Sequence, residues 1–141
     1  MSESEGEVAA PAVAPQQNGI VQHLFPGGNL CCEYTYVEGK KSGPGKLNYR
    51  SGKLYAQETW DADQLNGPTV TYYESGTLQS ELQYKNDLLE GLVKEYYPSG
   101  KLESEVQFTG GKKHGTATIY DEAGNVVAVE NWIDGTLQPK N

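Results

Sequence analysis

The sequence predicts an all-β protein that folds as a single antiparallel meander sheet of about 9–10 strands, built from β-hairpin repeats. A glycine recurs every 24 residues without insertion or deletion, turn-forming residues recur at two fixed places in each unit, and apolar residues alternate with polar ones between the turns. A fixed period of this length indicates a supersecondary unit that stacks on its neighbours. The 17 glycines and 10 tyrosines also favour a turn-rich β protein.

Each unit is counted here from its marker glycine, which is position 0, and the five marker glycines are Gly28, Gly52, Gly76, Gly100 and Gly124. Second glycines stand at position +15, at Gly43, Gly67, Gly91 and Gly115, with Pro139 in the fifth place. A leucine column occupies position +2, at Leu30, Leu54, Leu78, Leu102 and Val126. An aromatic column occupies position +8, at Tyr36, Trp60, Tyr84, Phe108 and Trp132. The same unit is therefore written four times in full and once in part.

Two kinds of turn divide each unit into two strands. Positions +10 and +11 hold residues that tolerate positive φ, which is the chemistry of a tight two-residue hairpin: Glu38-Gly39, Ala62-Asp63, Asn86-Asp87, Gly110-Gly111 and Asp134-Gly135. The other corner contains the marker glycine, as in Glu74-Ser75-Gly76, and this glycine can adopt the left-handed conformation that a turn needs. The chain is therefore expected to run from each strand to a neighbouring one.

Alternation assigns the side chains of the first strand to two faces. Positions +2, +4, +6 and +8 are expected to share an apolar face, and +3, +5 and +7 a polar one. A two-residue turn would pair position +8 with +13, and +6 with the second glycine, so that a ring could cover bare backbone. Across the corner the expected pairs are Tyr49 with Leu54, Tyr73 with Leu78 and Tyr97 with Leu102, which places Leu47, Thr71, Glu95 and Ile119 on the apolar face.

The array is expected to cover residues 23–137, between an N-terminal tail of residues 1–22 and a C-terminal tail of residues 138–141. Residues 1–22 contain too few large apolar side chains to offset the entropy of ordering them, so they are expected to be a disordered acidic tail. The start lacks the basic region and apolar core of a secretory signal, and no apolar stretch is long enough to span a bilayer. These features predict a cytoplasmic protein.

The charge of the chain bears on its partners. A formal net charge of −8 repels nucleic acid and anionic membranes at long range. The sequence therefore predicts no nucleic-acid partner, disfavours membrane lipid, and favours a neutral or basic partner.

The corner and the residues after it resemble the MORN-repeat variant family, including bacterial proteins of the YwqK type that carry an antitoxin description. The resemblance rests on "YRSGKLYAQETW", "YESGTLQSELQY" and "YPSGKLESEVQF", which begin at residues 49, 73 and 97, and on a looser copy, "FPGGNLCCEYTY", at residue 25. It covers about residues 24 to 137 and implies hairpin repeats. It also implies binding to a partner protein, such as a toxin, without catalysis. The more general MORN arrays imply the alternative of a structural scaffold or membrane-peripheral module.

No group of residues predicts a catalytic, metal or cofactor site. The only cysteines, Cys31 and Cys32, are adjacent, so on a regular strand they point to opposite faces, and Cys32 stands in a column of small packing residues. His23 and His114 have no second histidine at ligand spacing, and the serines recur at turns. Glu81, Glu103 and Glu105 occupy repeat positions on the polar face. The glycine-rich segment at 108–115 lacks the spacing of a phosphate loop. We therefore expect a protein that is not an enzyme and binds no cofactor.

The aromatic residues are the feature with binding potential. Two readings stay open, because the rings either cover one another as a core or leave part of the face exposed for a partner. The candidate partner-binding residues are Tyr36, Trp60, Tyr84, Phe108, Trp132, Tyr49, Tyr73 and Tyr97.

Overall fold

The computed structural model describes residues 17–140, which form one antiparallel sheet. No helix occurs in this part of the chain, and so none that could cross a membrane. The strands are β1 (Gly19–Leu24), β2 (Leu30–Val37), β3 (Lys40–Asn48), β4 (Leu54–Asp61), β5 (Gln64–Leu65), β6 (Gly67–Tyr72), β7 (Leu78–Lys85), β8 (Leu88–Leu89), β9 (Gly91–Tyr96), β10 (Leu102–Thr109), β11 (Lys112–Tyr120), β12 (Val126–Ile133) and β13 (Thr136–Leu137).

The sheet is a meander, which confirms the predicted fold class. Strand β5 pairs with β4 next to β6, and β8 pairs with β7 next to β9, so each short segment is the start of an interrupted second strand. The remaining strands follow one another across the sheet in chain order. The sheet is slightly wider than predicted because it also contains β1 and β13.

The ordered sheet begins earlier than the sequence indicated. Residues 19–22 belong to the predicted tail, but they lie in β1, whose backbone pairs with β2 from Gly19 opposite Tyr36 to Leu24 opposite Leu30. Strand pairing orders this segment although it has few large side chains, because its backbone groups bond to the sheet. The remainder of the predicted tail, residues 1–16, and residue 141 lie outside the described residues.

The turn predictions are confirmed by the backbone. Both residues of every tight turn have positive φ, including the non-glycine residues Ala62 and Asp63, with φ of 47° and 70°. The five marker glycines have φ between 90° and 103°. Positive φ at both central residues gives the turn a twist that matches the flanking strands. The local turn chemistry therefore produces the hairpin repeat.

Pairing within each hairpin agrees with the prediction at the turn and departs from it further away. Position +8 pairs with +13, as in Tyr36 with Lys41. Tyr34, at +6, pairs with Gly45 instead of the second glycine Gly43, because the second strand contains extra residues between Lys41 and Gly45. Gly43 pairs with Trp60 of the next unit. The φ of Gly43 is 94°, which explains why glycine recurs at +15. The prediction that a ring at position +6 covers the second glycine is therefore wrong.

A bulge beside each corner corrects the predicted faces. Leu54 pairs with Asn48 while Ala56 pairs with Leu47, so Tyr55 is an extra residue in the first strand. The expected pair of Tyr49 with Leu54 is displaced by one residue. Because paired residues share a face, the leucine column lies on the opposite face from positions +4, +6 and +8. The same shift recurs at Leu78, Leu102 and Val126.

The best-packed part of the sheet is its N-terminal end. The core cluster consists of Phe25, Cys31, Cys32, Tyr34 and Tyr36, with Val21, Leu47 and Trp60 packed against it. Position +17 is buried in four units, at Gly45, Thr69, Val93 and Ala117, and after Ala56 no other described position is buried. Burial of apolar side chains therefore decreases toward the C-terminal end.

Candidate functional site

We call the side of the sheet that carries positions +4, +6 and +8 the aromatic face. Trp60, Tyr84, Phe108 and Trp132 are half-buried on it, whereas Tyr36 is only 4% exposed and belongs to the core cluster. No second layer covers this face among residues 17–140, because every strand there belongs to the one sheet. The face therefore combines a core at one end with partly accessible rings over the rest of its length.

Trp60 and Trp132 each contact a lysine and a glutamate. The Nζ of Lys41 lies 4.5 Å from the centre of the Trp60 ring, and the Nε1 of Trp60 donates to Glu58 Oε1 over 3.1 Å. Lys113 lies 4.4 Å from the Trp132 ring, and Trp132 Nε1 donates to Glu130 over 3.2 Å. Lysine over the ring adds a cation–π attraction. We call each set a Lys-Trp-Glu group.

Burial governs the electrostatics of the first Lys-Trp-Glu group. Burial raises the pKa of the Glu58 carboxyl, while the Trp60 N–H and the Lys41 ammonium partly oppose that change. Lys41 also lies 4.0 Å from the ring centre of Tyr34, whose edge meets Trp60 at a centroid distance of 6.0 Å. This group is therefore tied into the core cluster.

The two middle units of the face have an apolar residue at position +6, where the outer ones have glutamate. Tyr84 pairs with Leu89 and also with Gly67 of the preceding unit, and Phe108 pairs with Lys113 and Gly91. Leu82 and Val106 replace the glutamates at position +6. A shallow groove of about 410 Å³ runs beside this region, with Tyr55, Leu82, Tyr84 and Val93 among its lining. The middle of the face therefore combines apolar side chains with one exposed carboxylate, Glu95, which pairs with Ser80 and Ser104. It lies between the two Lys-Trp-Glu groups.

The corner tyrosines connect successive units. The hydroxyl groups of Tyr49, Tyr73 and Tyr97 donate to the carbonyl oxygens of Tyr72, Tyr96 and Tyr120, over 2.6, 2.5 and 2.7 Å. Each bond joins one corner to the next, at the end of the sheet where the corners lie. The sequence predicts these rings as cross-corner pairs and candidate partner contacts but not these bonds, since the acceptor of each bond is a backbone atom that no side-chain pattern reveals.

Removing one of these hydroxyl groups tests its structural role. Tyr73→Phe is expected to lower the free energy of unfolding by about 1 kcal/mol, since the part-buried hydrogen bond to the Tyr96 carbonyl is lost. Urea unfolding followed by circular dichroism measures the difference. The neighbouring Tyr72 makes no hydroxyl hydrogen bond within residues 17–140, so Tyr72→Phe is the matched control and should leave the midpoint unchanged. Equal effects of the two variants would contradict the assignment.

Hydrogen bonds also connect successive units at the end of the sheet where the tight turns lie. The backbone N–H groups of Asp63, Asp87, Gly111 and Gly135 each donate to a carbonyl of the preceding unit over 2.8 to 2.9 Å. His114 belongs to this pattern, because its Nδ1 accepts from the Asp134 N–H over 3.2 Å. His23 lies in β1 opposite Cys32. His114 therefore takes part in a contact between two units, and His23 lies within a strand pair.

The cysteine pair departs from the predicted geometry. His23 pairs with Cys32 and Leu24 with Leu30, which makes Cys31 the extra residue of a bulge. Both cysteines are buried in the same core cluster, so they do not point to opposite faces as expected. Both are free thiols, and burial, with a smaller contribution from Cys31, raises the pKa of Cys32 to about 12. Among the described residues no set of three or more His, Cys, Asp or Glu side chains is arranged to hold a metal ion.

The carboxylates singled out in the sequence also have local partners. Glu81 accepts a hydrogen bond from the Tyr96 hydroxyl, and Glu105 accepts one from Tyr120 over 2.8 Å. The first bond, together with burial, raises the pKa of Tyr96 to about 12. These contacts lie on the opposite face, where they tie a second strand to the preceding first strand.

Comparison with known proteins supports the repeat assignment. The family described as MORN repeat variant matches the chain over residues 65–86, 89–109 and 113–134. Each match covers a second strand, the corner after it and the next first strand with its bulge. The corner tyrosine stands in the first two matches, at Tyr73 and Tyr97, and Asp121 takes its place in the third. No curated protein matches the sequence. Three successive segments of the chain thus match the MORN repeat variant family.

Proposed function

We propose that this array is a non-enzymatic module that binds a partner protein through its aromatic face. The observation that carries the proposal is the row of half-buried rings at Trp60, Tyr84, Phe108 and Trp132, over which residues 17–140 place no second layer. Aromatic side chains exposed together on a rigid surface are typical of protein interfaces. The hydrogen bonds between successive corners and between successive tight turns hold the sheet in one shape, which reduces the entropy lost on binding.

The net charge of the chain suits a basic partner. The middle of the aromatic face presents Tyr84 and Phe108 together with the carboxylate of Glu95. Each flank carries a lysine beside its glutamate, Lys41 with Glu58 and Lys113 with Glu130. The formal net charge of −8 favours association with a basic protein. The resemblance to antitoxin-described proteins makes neutralisation of a toxin the specific form of the proposal.

A capture experiment with matched variants tests the surface. Tyr84→Arg places a charge in the middle of the aromatic face, and Leu92→Arg places the same charge at an exposed site that pairs with Gln107 on the opposite face. The native chain and Leu92→Arg are expected to retain one stoichiometric protein from the source cell, and Tyr84→Arg to lose it. Circular dichroism confirms that each variant is folded. Failure of the native chain to retain any stoichiometric protein contradicts the proposal.

The captured protein then distinguishes neutralisation from scaffolding. If the array is an antitoxin, the partner inhibits growth when expressed alone, and co-expression of the native array, but not of Tyr84→Arg, restores growth. A harmless partner favours the scaffold alternative. Flotation with anionic liposomes tests the membrane-peripheral alternative, which salt-sensitive binding would support.

A further inference from the structure

One long edge of strand β12 is uncovered among the described residues. Strand β12 pairs with β11 along most of its length, but with β13 only at Trp132 and Ile133. After β13 the Gln138 N–H donates to the Asn131 carbonyl over 2.8 Å, and no further strand follows within residues 17–140. The outer edge of residues 126–130 therefore lacks a neighbouring strand.

The composition of this edge favours pairing with another strand. Val126, Val127 and Val129 are exposed by 53, 59 and 44%, and Glu130 is the only charged residue of β12. An open groove of about 860 Å³ lies between residues 126–131 and residues 137–140. Apolar side chains beside unpaired backbone groups form a template for strand addition.

The other units show which kind of strand covers this edge. In β10, which is equivalent to β12, Val106 pairs with Ala117, Glu105 with Thr118 and Ser104 with Ile119. The edge is thus covered by an antiparallel strand that carries positions +17 to +19 of the repeat.

Strand β1 at the other end of the sheet is such a strand. Counted back by one period from Gly43, Gly19 holds position +15, and its φ of 98° falls in the range of the second glycines. Gly19 pairs with Tyr36 as Gly43 pairs with Trp60. No described strand lies on the outer edge of β1, and its sequence, GIVQHL, has no acidic residue.

We propose that the outer edge of β12 binds the outer edge of β1 of a second copy, so that the copies join head to tail in one continuous sheet. The register of the repeat pairs Val129 with Gln22 of the second copy, and Ala128 with His23. Gln17 and Asn18 then reach the positions that Leu137 and Gln138 hold in the first copy, so the two-residue strand β13 is displaced by a six-residue one. Such a contact is heterologous and leaves a free edge at each end, so it produces chains of copies.

Disulfide formation between introduced cysteines tests the proposed register of β12 with β1 of a second copy. Gln22 and Val129 are both exposed, so Gln22→Cys and Val129→Cys leave the core unchanged. Under mild oxidation a mixture of these two variants is expected to form a disulfide-linked pair of chains. Gln57→Cys is the matched control, because it stands at position +5 like Val129 but on an interior strand, and it should not cross-link to Gln22→Cys. Equal cross-linking of the control, or cross-linking of Val129→Cys with itself, would overturn the proposal.

Sedimentation equilibrium tests the mode of assembly. The apparent mass of the native chain is expected to rise with concentration above the 15.4 kDa of one copy without reaching a plateau. Val129→Glu places a charge on the open edge and should keep the chain monomeric, whereas Leu92→Glu changes an exposed apolar residue of an interior strand and should not. A native chain that stays monomeric at every concentration, or stops at two copies, contradicts head-to-tail pairing.

Discussion

Replacing Gly45 with valine is expected to lower the free energy of unfolding by about 2–3 kcal/mol, because the site has no room for a side chain. A Cβ at Gly45 would lie 2.9 Å from Tyr34 Cδ1 and 3.2 Å from Trp60 Cδ1. Both rings belong to the best-packed part of the sheet, where neighbouring side chains restrict their movement. Urea unfolding at constant slope measures the loss.

Thr69 provides the control for this prediction. It occupies the same buried column as Gly45, and its Oγ1 has no hydrogen-bond partner within residues 17–140. Thr69→Val is therefore expected to stabilise the protein, by about 1 kcal/mol, since it removes a buried polar atom without changing the shape. Because valine already stands at the equivalent Val93, valine itself is compatible with the column. Similar effects of valine at both sites would contradict the steric explanation.

Alanine at Trp60 is expected to cost about 3 kcal/mol, at the low end for a tryptophan deletion because the ring is half-buried. The Trp60 ring meets Tyr34 in the core cluster and contacts Lys41. Trp132 has the same lysine and glutamate partners, but Leu137 and Ile133 beside it are exposed. Trp132→Ala is therefore expected to cost about 1–2 kcal/mol, less than Trp60→Ala because the half-buried ring has exposed neighbours.

The alanine variants at Trp60 and Trp132 distinguish a role of the tryptophans in stability from a role in partner binding. Equal losses of stability would show that packing does not weaken toward the C-terminal end. Hydrogen exchange gives an independent measurement, because nearest-neighbour coupling in a repeat array allows the poorly packed end to open first. Trp132→Ala is also expected to retain the fold, so its effect on partner capture reports on the aromatic face without loss of the sheet.

Much of the fold was predictable because its determinants are local. The 24-residue period gave the meander, and residues that tolerate positive φ gave the turns. The pairing of position +8 with +13 followed from a two-residue turn. The face of the leucine column was predicted wrongly because alternation assumes a regular strand, and the bulge at Tyr55 and its equivalents changes the phase.

The candidate site was predictable as a set of columns but not as a surface. Repetition placed Trp60, Tyr84, Phe108 and Trp132 on one face, yet the burial of Tyr36 depends on Phe25 and the two cysteines, which occur at one end only. The hydroxyl bonds of the corner tyrosines end on backbone carbonyls of the next unit. Side-chain patterns carry no information about such acceptors.

By itself the sequence determined the repeat, the hairpin turns and the order of the strands, since each depends on backbone preferences within a few residues. Only the tertiary structure decided where the bulges fall, that Cys31 and Cys32 share one core cluster, and which edges lack a strand within residues 17–140. These features depend on hydrogen bonds between strands, and such bonds form only when neighbouring units meet.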